Sequence, residues 1–205
     1  MKNTLITIAA VAISFVSGAA YAQQSKSLQP GDQLPMSGTV LKDASRGGDM
    51  PYFKAADKNG LLVMFSCNTC PFVVKNESTT RKTIEYARNH GVGVVIINSN
   101  EAKRDGDDAY DAMKQYAKGQ GYTVPYLVDE NSVLADLFGA NHTPEVFLFN
   151  NKNVLVYKGA MNDNPGNPEK AQVMYISNAI DAVVAGKEPN PKSTKSIGCS
   201  IKRKA

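Results

Sequence analysis

The sequence has no tryptophan, only three cysteines and only two histidines among its 205 residues. Three cysteines are too few for a disulfide-built scaffold. A chain of this length buries enough apolar surface to fold without one. Neither sign of charge dominates, the formal net charge being +4 at pH 7. The late basic residues Lys192, Lys195, Lys202, Arg203 and Lys204 have no aromatics between them, which marks a solvated tail and not a nucleic-acid arm. Internal repeats and low-complexity blocks are absent. Beyond the first 22 residues no apolar run approaches the ~20 residues of a membrane span. What remains is a globular composition, 42% apolar and 20% charged, which excludes collagen-like and wholly disordered chains.

The amino end reads as an address. Met1-Lys2-Asn3 is a short positive start, residues 5–16 are apolar apart from Thr7 and Ser14, and Ala20-Tyr21-Ala22 is an A-x-A cleavage site. Residues 1–22 are therefore expected to be a signal peptide, leaving Gln23 first and a mature domain over 23–205. No cysteine follows the cleavage site to carry a lipid. The expected location is periplasmic or secreted, without stable membrane insertion, in a compartment where disulfides persist.

Residues 23–50 are rich in Gly, Pro, Ser and polar side chains and read as loops with a weak hairpin, within an amino-terminal extension over 23–60. The run 61–65 (LLVMF) is continuously apolar, as in a strand buried on both faces. It ends at Ser66-Cys67-Asn68-Thr69-Cys70-Pro71. Helical character follows over 72–90, stopped by Gly91, and 92–98 (VGVVIIN) is a second buried strand. Asp107-Asp108 predicts the acidic first turn of a helix reaching about residue 118. A short strand over 126–128 and a short helix over 132–138 come next. Strands over 145–149 and 154–157 flank Asn150-Asn151-Lys152-Asn153, a hairpin turn. A last helix is predicted over 168–184, with Pro168 in its first turn and Gly186 after its end. Residues 187–205 form a tail. The alternation implies an α/β fold, a central mixed sheet flanked by helices.

Cys67 and Cys70 lie between a buried strand and a helix. A helix amino terminus offers unpaired N–H groups and partial positive charge, which favour a thiolate. On this reading Cys67 is the exposed attacking sulfur and Cys70, one turn in, the buried sulfur that resolves the mixed disulfide. An inert structural disulfide is the plainer alternative. Zinc would need about four ligands, and beyond the pair only Cys199, His90 and His142 remain, with no second Cys-x-x-Cys.

Residues 65–73 (FSCNTCPFV) after a strand, with Thr143-Pro144 before another, resemble thioredoxin-fold proteins over roughly residues 61–186. The match is narrower with the peroxiredoxin-like branch carrying Cys-Asn-x-Cys-Pro and a late Gly-Cys-Ser-Ile-Lys, here Gly198 to Lys202. The resemblance implies a thioredoxin-like fold and a thiol–disulfide oxidoreductase that needs no cofactor. It implies protein thiols or disulfides and a redox protein as partners, and no nucleic acid. It assigns Pro144 as a cis-proline and Thr143-Pro144 as the substrate groove, where a substrate strand pairs beside Cys67.

The departures matter. Ser66 stands where thioredoxins usually have Trp, and their buried acid falls on Leu61. Glu145 is a candidate substitute acid or a solvated strand-end residue. A peroxiredoxin needs Thr three residues before its reactive cysteine, and aligned on Cys70 that slot holds Cys67. No arginine occurs between Arg104 and Arg203 to polarise a peroxide. A copper module using Cys67, Cys70 and His142 is a further alternative, since thiolates and imidazole suit copper. Thioredoxin-fold copper chaperones, however, place three residues between their cysteines. His142 is otherwise a loop residue tuning the thiolate. Cys199 leaves an odd count. It can fold back onto Cys70 or Cys67 as a third redox thiol, pair between chains, or stay a free thiol packed by Ile197 and Ile201.

Overall fold

The computed structural model describes residues 27–204, and the expected signal segment at 1–22 lies outside them. The apolar run after Asn59 becomes β3 (Gly60–Ser66), buried at every residue. A strand so apolar needs cover on both faces, and β3 takes the centre of a five-stranded sheet. Its parallel neighbour is β4 (Gly93–Asn98), which pairs in turn with the parallel β5 (Tyr126–Val128). On the other side β7 (Glu145–Asn150) runs antiparallel to β3, and β8 (Leu155–Gly159) antiparallel to β7. The turn between them places Asn153 at φ 59°, a left-handed conformation that Asn tolerates. A separate two-residue hairpin, β1 (Leu41–Lys42) with β2 (Asp49–Met50), precedes the sheet.

Successive side chains of a strand point to opposite faces, so each strand feeds two cores. Leu62, Met64, Val94, Ile96, Val146 and Leu148 face helices α2 (Glu77–Asn89), α3 (Tyr110–Gln120) and α5 (Tyr175–Val184). Leu61, Val63, Phe65, Val95, Ile97 and Phe147 face α4 (Val133–Phe138), Tyr52 and the late residue Ile201. No helix among the described residues is long and apolar enough to cross a membrane.

Three helix boundaries differ from expectation, each for a local reason. The predicted helix over 72–90 is broken into α1 (Pro71–Lys75) and α2. Asn76 at the break turns its amide back to the Phe72 and Pro165 carbonyls. Asp107 and Asp108 precede α3 instead of opening it, because the Asp108 side chain is taken up by the cysteine loop. The helix expected over 168–184 keeps only α5. Pro168–Lys170 is a separate 3-10 turn, and Asp163 pairs with Gln172 and Val173 between the two.

The register brings Ser66, Asn98 and Val128 to one edge of the sheet, with Glu145 opposite Phe65. The carboxyl ends of parallel strands are where open α/β sheets place their sites. β6 (His142–Thr143), just before β7, and β9 (Cys199–Ser200) from the tail pair antiparallel at this edge.

Candidate active site

The three cysteines converge at that edge. Cys70 is disulfide-bonded to Cys199, 129 residues away, with their Cα atoms 6.1 Å apart, while Cys67 is a free thiol. Cys67, Cys70 and Val73 form one small cluster against which Phe72 and Cys199 pack. Of the partners open to Cys199, Cys70 is therefore the one taken. Ile201 is buried, whereas Ile197 is 43% exposed.

Cys67 differs from its expected character. It is 1% exposed against 6% for Cys70, so the order of exposure is reversed in this state. Burial pushes its thiol up from the usual range. The Thr143 hydroxyl, 3.5 Å from Cys67 Sγ, pulls the other way, as do the Cys70 and Thr69 backbone N–H groups. The negative charge of Asp108 adds to the rise. The helix after the motif is also only five residues long, which leaves little of the macrodipole expected from a helix reaching residue 90.

Beneath Cys67 lies a polar network that the sequence pattern did not single out. Asp108, fully buried, accepts from the Asn68 backbone N–H at 2.9 Å, Asn98 Nδ2 at 2.7 Å and Asn100 Nδ2 at 2.9 Å. The Tyr126 hydroxyl donates to Asn68 Oδ1 at 2.8 Å, and the Asn68 amide donates to the Asp107 carbonyl at 2.7 Å. Arg104 closes the far side on the carbonyls of Asp108 and Asn98. Every donor aimed at Asp108 comes from a residue whose own position is fixed by β4 or the cysteine loop. The available signal was Asn98-Ser99-Asn100 capping an otherwise apolar strand.

Thr143 and Pro144 stand across from the sulfurs, and their peptide bond is cis. The Thr143 carbonyl lies 3.3 Å from Cys70 Sγ, a contact that becomes a hydrogen bond only when Cys70 is a thiol. Glu145 is neither solvated nor in contact with a sulfur. It is 7% exposed and accepts from the Asn141 and His142 backbone N–H groups and from Ser196 Oγ. It thus clamps the β6 turn to the tail. His142 lies on β6 opposite Ser200. The described residues contain no group of three or more His, Cys, Asp or Glu able to hold a metal, so Cys67, Cys70 and His142 are not gathered as a ligand set.

The chain matches the Redoxin family model over residues 29–174 and belongs to that family. No curated protein matches it. Among solved structures it is similar to a hypothetical protein from Sinorhizobium meliloti at 35% identity, with a TM-score of 0.78 and coverage of 89% of this chain and 98% of the other. It is similar as well to an uncharacterized conserved protein from Geobacillus kaustophilus at 32% identity and TM-score 0.78, covering 85% and 92%. A thioredoxin-like protein in the oxidized form, 15% identical, aligns over 78% of this chain and 98% of its own with a TM-score of 0.57. The fold is thioredoxin-like, as the resemblance implied.

Proposed function

We propose that the protein is an exported thiol–disulfide oxidoreductase that exchanges disulfides with protein substrates through Cys67 and Cys70. One observation carries this reading: a free thiol, Cys67, sits in the same buried cluster as a sulfur, Cys70, that is already engaged in a disulfide. Disulfide exchange needs a thiolate, a disulfide sulfur within reach and a leaving thiol. Thr143 serves both members of the pair, its hydroxyl facing Cys67 and its carbonyl facing Cys70. Asp108 holds the loop between the sulfurs through the Asn68 N–H. Export rests on residues 1–22, and mass spectrometry of the exported chain should find Gln23 first.

Within the Redoxin family the competing chemistry is peroxide reduction. The Thr143 hydroxyl supplies a donor beside Cys67 that the spacing did not promise. Yet Arg104, which borders the network, is spent on the backbone carbonyls of Asp108 and Asn98 and on Glu101, and the charge acting on Cys67 is the carboxylate of Asp108. A negative neighbour opposes the charge that develops as a peroxide is cleaved. Insulin reduction and hydrogen peroxide turnover, each with wild type, Cys67→Ser and Cys70→Ser, test the reading. Disulfide exchange abolished by both substitutions is expected. Fast peroxide turnover without exchange would overturn it.

A further inference from the structure

We propose that the groove beside Thr143 binds an extended polypeptide segment in which glycine precedes cysteine, that this cysteine bonds Cys70 and not Cys67, and that the tail is the groove's resident occupant. The proposal rests on the oxidoreductase reading and names the sulfur and the substrate class of that same site.

The tail shows the fit. Thr143 pairs with Cys199 and His142 with Ser200, and among the described residues β6 has no other strand partner. Main-chain bonds continue past the cysteine: the Ile201 N–H donates to the Asn141 carbonyl at 2.9 Å, and the Ala102 N–H donates to the Lys202 carbonyl at 2.8 Å. Side chains add to them, the Lys202 N–H donating to Asn100 Oδ1 and Ser196 Oγ donating to Glu145, each at 2.9 Å. Main-chain pairing of this kind gives affinity, and pockets for particular side chains give selectivity.

Two positions are selective. At Gly198 an added Cβ would collide with the Thr143 carbonyl, which is held by the strand pair, so any side chain there expels the segment. Two residues past the cysteine, Ile201 is buried among the core residues of the α4 face. The groove therefore reads Gly-Cys-x-Ile as glycine, cysteine, any residue, and an aliphatic side chain.

The covalent geometry names the sulfur. A segment seated like the tail places its cysteine on Cys70. Release is an exchange with no outside oxidant. The Cys67 thiolate attacks Cys70 Sγ, the Cys67–Cys70 bond forms as the Cys70–Cys199 bond breaks, and Cys199 leaves as a thiolate that takes up the proton Cys67 gave away. Run backwards with a substrate thiolate in place of Cys199, the same step loads a substrate onto Cys70 and frees Cys67. In both directions one disulfide is consumed and one formed.

The test uses full-length chains with one sulfur each, Cys67→Ser/Cys199→Ser and Cys70→Ser/Cys199→Ser, checked for native melting. The probe is a synthetic peptide of residues 196–204 with its cysteine as a thionitrobenzoate mixed disulfide. Release of thionitrobenzoate is expected at least about tenfold faster with Cys70 as the sole thiol, and mass mapping should place the peptide on Cys70. Peptides carrying Gly198→Ala or Ile201→Asp should each lose about tenfold or more. A serine-for-cysteine peptide should compete in the same rank order, a readout independent of thiol reactivity. Faster capture by Cys67, or equal rates for the glycine and alanine peptides, would overturn the proposal even if insulin exchange is found. Selective capture on Cys70 without insulin exchange would uphold the groove and overturn the broader function.

Discussion

The loop that carries Cys67 and Cys70 and the tail that carries Cys199 meet at one sulfur, yet different forces hold them. The loop is built into the interior. Ser66, Cys67, Asn68 and Cys70 are all buried, and its backbone is tied to Asp108 through the buried Asn68 N–H. The tail is laid over the surface. Thr194 is held by Tyr157 and the Ala160 N–H, Pro189 and Ile201 are buried, and Ile197 and Ser200 are exposed. Low burial and few contacts mark the segments of a fold that open first. The partner of Cys70 is therefore decided on the tail side, while the position of Cys70 is decided in the core.

The largest effect should come from the core beneath the loop. Phe147 is fully buried on β7 and meets Phe65 and Phe138 edge to face, with ring centroids 5.7 and 5.2 Å away. Phe147→Ala should cost about 3–5 kcal/mol of stability by denaturant unfolding. It should also loosen the Cys67–Cys70 loop, since Phe65 lies one residue before Ser66. A loss below about 1 kcal/mol would mean that the core does not set the loop.

Asp108→Asn comes next. The substitution keeps the shape but turns one acceptor oxygen into a donor, and Asn68, Asn98 and Asn100 all present donors to it. The expected cost is about 1–3 kcal/mol. The Cys67 thiol should also ionise at lower pH, because the neighbouring negative charge is gone. Alkylation rate against pH reads this directly, and an unchanged profile would remove Asp108 from the control of Cys67.

These two sites also show how legible the molecule was in its sequence. Phe65 and Phe147 lie in apolar runs whose strand character and burial were plain, because a strand core repeats over several residues and leaves a pattern. The Cys67–Cys70 pair and Thr143-Pro144 were legible as motifs. Asp108 was not. An acid pair just ahead of an amphipathic stretch reads as a helix start, and only the fold brings it under a loop 40 residues earlier. The pairing of Cys199 was left open for a similar reason. Nothing local marks which distant sulfur a tail will reach. The break at Asn76 was hidden too, since its cause is a carbonyl at Pro165.

The pH dependence of Cys67 is a third and smaller effect. In the fold, burial chiefly, with Asp108, holds this thiol above its ordinary range. The folded state thus binds the proton more tightly than the unfolded chain does. The stabilisation is complete below the unfolded thiol value of ~8.5 and is lost as pH rises through the folded value. Unfolding midpoints of the Cys70–Cys199 form from pH 7 to 10 should fall more steeply for wild type than for Cys67→Ala. Parallel curves would show that the thiol is no more buried than in the unfolded chain.

The smallest effect belongs to the end of the tail and bears most directly on the contrast between the two segments. Arg203 Nε lies 2.7 Å from Asp136 Oδ1, and its Nη2 donates to the Ala140 carbonyl at 2.7 Å. The ion pair is solvent-facing, with a third of the arginine side chain and over half of the aspartate exposed. Such pairs contribute roughly 0.2–1 kcal/mol and weaken with salt. Arg203→Ala should therefore leave the global unfolding midpoint almost unmoved. The local consequence differs, because Arg203 lies past the Cys199 disulfide and directly beside the Ile201–Lys202 stretch. The Ile201 and Lys202 amides, bonded to Asn141 and Asn100, should exchange hydrogen up to about fivefold faster, the equivalent of ~1 kcal/mol. Salt at 1 M should bring wild type close to the variant. Amides of β3 should not respond, since they open only with the whole domain. If β3 and tail amides instead accelerate together, the tail is as much part of the core as the loop, and the division drawn between the two sides of Cys70 fails.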